Sequence, residues 1–202
     1  MPYGYLGQNQ PNQTVSNSGV FSITDVAELQ SQGKLGGSLE LIEEQTVTSS
    51  TATIDFTNIQ GAKYDVHYMT INGFEVISGG QTVVLIRYST DGGSSYVSSG
   101  YQNAYQQGTT SGSFSELRST SSSSLEVGYT NGTEQCSGYV YLYNLNNSSK
   151  YSFNTFQNIQ ENGVMNFGGG VYSTANTVNA IRILSGVNID NAVVKLYGVK
   201  QI

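Results

Sequence analysis

From about residue 40 to the C-terminal end, hydrophobic side chains recur at every second position, in short runs broken by turn chemistry. A period of two belongs to extended strands whose successive side chains face opposite ways. The runs predict strands at 46–57, with Ala52, Ile54 and Phe56 on one side, at 63–72, with Tyr64, Val66 and Tyr68, and at 81–90. Further strands are predicted at 95–106, 124–130 (Leu125, Val127, Tyr129), 138–145, 150–158, 163–172, 177–184 and 191–199. In 81–90, Val83, Val84, Leu85 and Ile86 run together, as in a strand covered on both faces. NG, DGG, GTTSGS, NGT, NNSS, ENG and SGVN lie between the runs, and all are turn formers. So many strands with no helix between them imply an all-β fold, an antiparallel β-sandwich. The chain is long for a seven-stranded immunoglobulin arrangement, so a jelly-roll or Greek-key topology is expected.

The first 38 residues have another texture. Residues 1–20 hold both prolines, Pro2 and Pro11, among Gln, Asn, Ser and Gly, and predict an extended N-terminal arm. Tyr3, Tyr5 and Leu6 are spaced along it as apolar pegs that could dock on a neighbour. Residues 22–33 predict the single short helix, with Asp25 as N-cap, Glu28 three positions on and Gly33 at C′. A helix of about nine residues does not persist alone. Val26 and Leu29, with Val20 and Phe21 just before them, are therefore expected to pack against something. GKLGGS at 33–38 reads as a hinge. The expected division is an anchoring segment, 1–38, and a sandwich domain, 39–202.

Chemistry is sparse. Charged residues make up 11% of the chain, about half the usual share, so solubility rests on neutral hydrogen-bonding groups. A formal charge of −6 with scattered basic residues argues against nucleic-acid binding. No run approaches the roughly 20 apolar residues of a membrane span. The stretch MPYGYLGQNQPNQ has neither the basic nor the apolar region of an export signal, so the NQT, NGT, NNS and NSS triplets are read as polar loops. Cys136 is the single cysteine, which excludes an internal disulfide, and it reads as a small buried filler. His67 is the single histidine, reads as a structural imidazole, and cannot by itself build a typical zinc site. The carboxylates Glu43, Glu44, Glu116, Glu126 and Glu134 carry no mark of a catalytic pair, so a polysaccharide-degrading enzyme is the weakest reading. No catalytic residue, metal or cofactor is expected. FGGGV at 167–171 follows no strand-to-helix pattern, and its glycines read as a bulge or close sheet packing rather than a phosphate loop.

The tyrosines are the open question. In GYVYLYNL, Tyr139, Tyr141 and Tyr143 alternate with Val140 and Leu142, and the row reads as core filling with hydroxyls reaching the sandwich edge. In SYVSSGYQNAYQQ, Tyr96, Tyr101 and Tyr105 lie among Ser, Gln and Asn with almost no aliphatic partners. That mixture suits an exposed platform for a glycan or for another subunit, or simply a solvent-facing strand.

Several stretches resemble a family of structural proteins and fibre tips of marine tailed bacteriophages. They are YDVHYMTINGF (64–74), LIRYSTDGGSSY (85–96), GYVYLYNLNNSSKY (138–151), NFGGGVYSTANTVNAIRIL (166–184) and VKLYGVK (194–200). GVFSITDVAELQSQGK (19–34) resembles an N-terminal element of virion-associated proteins. The resemblance covers about two thirds of the chain, and the order of its stretches carries its specificity. It implies a jelly-roll-like sandwich on the virion surface, without enzymatic activity, held by other virion proteins of capsid or tail. The longer fibre members carry an extended region before this domain. Here only about 40 residues precede it, which favours a compact subunit. A homo-oligomer with closed cyclic symmetry, a trimer in the first instance, is expected, and a host surface glycan is the expected ligand if the domain binds one.

Overall fold

The computed structural model describes residues 22–31, 38–132 and 134–200. The chain separates into two units, residues 1–38 and 39–202. In the first unit the helix α1 (Ile23–Ser31) is described. Its N-cap is Ser22. The Asp25 N–H donates to Ser22 Oγ (3.1 Å) and the Ser22 N–H donates to Asp25 Oδ2 (2.9 Å). This reciprocal capping box makes Asp25 the N3 partner rather than the cap expected from sequence. Ile23 is 90% exposed and Val26 41% exposed, whereas Leu29 is buried. Tyr3, Tyr5, Leu6, Val20 and Phe21 lie outside the described residues.

The second unit is all strand. Its elements are β1 (Leu39–Val47), β2 (Thr51–Phe56), β3 (Val66–Val76), β4 (Thr82–Ser89), β5 (Tyr101–Gly108), β6 (Phe114–Ser122), β7 (Leu125–Thr130), β8 (Cys136–Tyr143), β9 (Ser152–Gln160), β10 (Met165–Tyr172) and β11 (Ala180–Val199). Every pairing is antiparallel. The spine is β11. Ala180–Leu184 pairs with β4, and Ile181–Leu184 with β2, while Val193–Val199 pairs with β1 and β3. Register shifts around Ile189 and Asn191 let one strand serve two layers. One layer runs β2-β11-β4-β7 and the other β1-β11-β3-β8-β9-β10-β5-β6. The chain passes between the layers from β1 to β2, β2 to β3, β3 to β4, β4 to β5, β6 to β7, β7 to β8 and β10 to β11. That alternation is jelly-roll-like, with the meander β8–β9–β10 built into the larger layer.

Four strand boundaries differ from the sequence expectation, each for a physical reason. The run 46–57 breaks at residues 48–50, and β1 reaches back to Leu39, where Glu40, Glu43 and Glu44 hide the alternation of a half-exposed strand. Residues 95–100 are loop. The Asp91 carboxylate accepts the Ser95 Oγ–H (2.6 Å), the Ser95 N–H (2.9 Å) and the Ser89 Oγ–H (2.7 Å), and Gly100 at φ 78° turns the chain into β5. These bonds, led by that from the Ser95 hydroxyl, hold the Asp91 carboxyl down at about 2. The strand β6 has no apolar alternation because it lies at the end of its layer with most of its side chains exposed. Finally, SGVN is no turn, and 177–184 and 191–199 belong to one continuous β11.

The core is one cluster between the layers. Its largest members include Phe56, Phe74, Met69, Ile71, Ile86, Leu125, Leu142 and Ile181, all under 2% exposed. Three tyrosines join them. Tyr88 of β4 meets Tyr101 of β5 and Tyr172 of β10 with ring centroids 6.0 Å away in each case, and Tyr101 and Tyr172 are 5.1 Å apart. The interior also holds amides along β9. Asn158 presses on Gly128 of β7, which sits at φ +121° and leaves the space a Cβ would fill. The Asn154 amide is buried without a protein partner, the environment in which internal water is found. At the other end of the sandwich, Asp55 accepts two hydrogen bonds from Arg182 (2.7 and 2.6 Å), and the Arg182 guanidinium lies 3.9 Å from the Tyr96 ring centroid. Tyr96 is thereby half-buried and ties the 90–100 loop to β2 and β11.

Candidate functional site

The tyrosines exchange the positions that sequence assigned them. Tyr101 and Tyr105 are interior, 0% and 3% exposed, so with the half-buried Tyr96 they form no platform. Their hydroxyls make this tolerable. The Tyr88 N–H donates to Tyr101 Oη (2.9 Å), and Tyr101 Oη donates to the Val97 carbonyl (3.3 Å). Tyr105 Oη donates to Glu126 Oε2 (2.7 Å), and burial pushes its phenol far above the ordinary range. A tyrosine whose hydroxyl finds a partner behaves as a large core residue.

The row Tyr139, Tyr141 and Tyr143 faces outward instead. Val140 and Leu142 of the same strand take the core because branched aliphatics need no hydrogen-bond partner there. The strand register carries the tyrosines into a broad surface. One rung crosses Leu41 (β1), Tyr197 (β11), Tyr68 (β3), Tyr141 (β8), Thr155 (β9), Gly169 (β10) and Ala104 (β5). The next joins Leu39, Val199, Val66, Tyr143, Phe153 and Val171. The Tyr68 ring lies at the centre, 4.9 Å from Tyr141, 6.0 Å from Tyr139 and 6.1 Å from Tyr197. Burial among these rings, and their proximity, raise the Tyr68 phenol above its ordinary value. Tyr141 and Tyr143 stack 6.3 Å apart at 18°. Tyr139 Oη donates to Gln157 Oε1 (3.1 Å), and the Tyr143 and Thr155 hydroxyls share a 3.2 Å hydrogen bond. Leu41, Phe153, Phe167 and Ile159 extend this surface with exposed apolar groups. Lys195 pairs with Glu44 (2.9 Å) on the rung that passes through Thr70 to Tyr139, and Arg118 pairs with Glu116 (3.5 Å) on β6.

Where the second rung reaches the β8–β9 connection, Asn144, Ser149, Lys150, Tyr151 and Phe153 line a shallow, open cleft of about 310 Å³. Tyr151 is 47% exposed and Phe153 42%. Asn144 stands at φ 61°, and its side-chain amide donates to the Tyr151 carbonyl (3.2 Å), which fixes the turn. Sequence reasoning passed over this cleft because its residues sit in polar turn chemistry. The one available signal was that Tyr151 and Phe153 follow NNSSK with only Ser152 between them.

The titratable candidates are dispersed. Glu44 and Glu116 pair with Lys195 and Arg118, Glu126 accepts from Tyr105, and Glu43 is bonded to Gln45. Glu134 accepts from Asn131 (2.8 Å) and Asn162 (2.6 Å). Among the described residues no three His, Cys, Asp or Glu side chains are placed to hold a metal, and no helix is long and apolar enough to cross a membrane. Cys136 is buried as expected, and burial pushes its thiol up to about 11. The three glycines at 168–170 keep an unbroken register with β5 and β9, so they serve close packing and not a bulge.

His67 is fully buried. Its Nε2–H donates to the Ile59 carbonyl (2.7 Å), while Nδ1 has no partner. Burial lowers its pKa below the ordinary 6.5. The unfolded chain therefore takes up a proton that the folded chain refuses, and stability falls as pH drops below about 6.5. Denaturant midpoints are expected to decline between about pH 7 and pH 5 in the parent and to be flat across that window in His67→Gln. Equal slopes in the two proteins would rule His67 out as the cause.

No known protein family matches the sequence, and a search of curated proteins finds no match.

Proposed function

We propose that the protein is a non-enzymatic structural protein of a tailed bacteriophage particle: a surface subunit, either capsid decoration or head fibre or a short tail-fibre component, held by its N-terminal residues and displaying the sandwich. The observation that supports this reading most directly is α1. Its N-terminus is closed by a complete capping box, yet Ile23 and Val26 stand exposed on it. Apolar side chains fixed on a helix too short to persist alone suit a segment that orders against a partner. The resemblance of residues 19–34 to a virion-associated element points the same way. Particles assembled with chains carrying Ile23→Asp and Val26→Asp are expected to lose the protein, by quantitative mass spectrometry, while the isolated variant keeps its thermal midpoint. Incorporation at the parental level would overturn the anchoring role.

A second reading is favoured by the outer tyrosine surface: the displayed domain recognises host surface polysaccharide. Aromatic rings with hydroxyls and side-chain amides at their rims match the alternating apolar faces and hydroxyl edges of sugar rings. Adsorption by particles carrying Tyr68→Ala and Tyr141→Ala is expected to fall, and normal adsorption would remove this reading.

A further inference from the structure

Among the described residues the cations are nearly all engaged. Lys63 and Lys200 meet Glu40 (2.6 and 3.4 Å), Lys195 meets Glu44, Arg118 meets Glu116 and Arg182 meets Asp55. Arg87 donates to Ser123 and Ser124. The exception is Lys150, whose ammonium has neither a carboxylate nor another acceptor among the described residues. In a chain of formal charge −6, the described cation with no hydrogen-bonding or ionic partner stands at a cleft walled by two exposed aromatic rings.

We propose that this cleft is a subsite for an acidic sugar, a hexuronate residue within a polysaccharide. The proposal rests on the glycan-binding reading of the outer face and names the class of sugar. A hexuronate carries on one ring an apolar C–H face, several hydroxyls and a carboxylate. Tyr151 and Phe153 supply apolar ring surface, Asn144 and Ser149 supply short polar groups, and Lys150 supplies the charge that a carboxylate pairs with. A neutral sugar would leave that ammonium unused, and a bare phosphate would leave both rings unused. The net negative charge of the chain does not forbid the contact. Charges beyond a Debye length of about 8 Å are largely screened at physiological salt, so the local cation dominates inside the cleft. The cleft also adjoins the tyrosine surface, since Phe153 is the cross-strand partner of Tyr143. A bound chain can therefore run from the charged subsite along Tyr143 and Tyr141.

The test is calorimetric titration of the full chain with tetragalacturonate, and with maltotetraose as its neutral counterpart. Tetragalacturonate is expected to bind, to weaken about tenfold or more in Lys150→Ala, and to recover in Lys150→Arg. Tyr151→Ala and Phe153→Ala are expected to abolish binding while leaving the thermal midpoint near that of the parent, since both side chains are exposed. Added salt is expected to weaken tetragalacturonate binding. Tetragalacturonate binding that is absent, or unchanged in Lys150→Ala, overturns the proposal. Maltotetraose binding that ignores Lys150 but is lost in Tyr141→Ala overturns the acidic subsite and leaves the glycan reading standing, whereas failure of both sugars removes both. If sedimentation instead finds an oligomer that dissociates in Tyr151→Ala or Phe153→Ala, the cleft is a contact between copies and the proposal fails.

Discussion

Tyr101→Ala is expected to destabilise the sandwich by about 3–5 kcal/mol, the range for deleting a large buried aromatic side chain. The ring is wholly buried and packs on Tyr88 and Tyr172. Its hydroxyl also accepts the Tyr88 backbone N–H across the two layers. Two costs are therefore combined, a cavity and a buried donor left without a partner. Tyr101→Phe separates them. It keeps the ring and loses only the hydroxyl, so about 1–3 kcal/mol is expected. Denaturant unfolding followed by circular dichroism measures both variants. A Tyr101→Ala protein with parental stability and altered binding would restore the exposed-platform reading that the packing contradicts.

The second large effect is at Gly168. A Cβ there would stand 2.3 Å from Tyr105 Cβ, 2.5 Å from the Ala104 carbonyl oxygen and 2.5 Å from Tyr105 Cα. Two of these three atoms are backbone of β5, which cannot rotate away as a side chain can. Gly168→Val would have to part β10 from β5, whose ladder runs from Met165 opposite Gly108 to Tyr172 opposite Tyr101. The expected cost exceeds that of ordinary overpacking, about 3–5 kcal/mol, with a corresponding fall in soluble yield. Gly80→Ala is the control, because nothing lies within 4 Å of the added methyl and φ is not in the left-handed region. That change is expected to be neutral or slightly stabilising through the unfolded chain. Similar stability of the two variants would mean that β10 and β5 are not held as closely as described.

The sequence by itself determined the strand repertoire. Two-residue alternation, dense turn chemistry and the absence of helical periodicity beyond residue 40 leave an antiparallel sandwich as the economical way to bury 37% hydrophobic residues. Buried Cys136 and the structural role of His67 were also legible from residue type, whereas FGGGV left a bulge and close packing open until the register chose between them. Only the tertiary structure decided which side of each strand is inside. Tyr139 has aliphatic neighbours and Tyr101 polar ones, and that local contrast pointed to the opposite of where each ring lies. Leu142 and Val140 displaced the first row outward, while Tyr88, Val97 and Glu126 offered the second pair of hydroxyls partners that lie 4 to 21 residues away. Lys150 likewise gains its meaning from where the carboxylates are, because an unneutralised cation is a property of the folded surface. Periodicity fixes that a strand has two faces, but the choice between them belongs to the partners that long-range folding brings together.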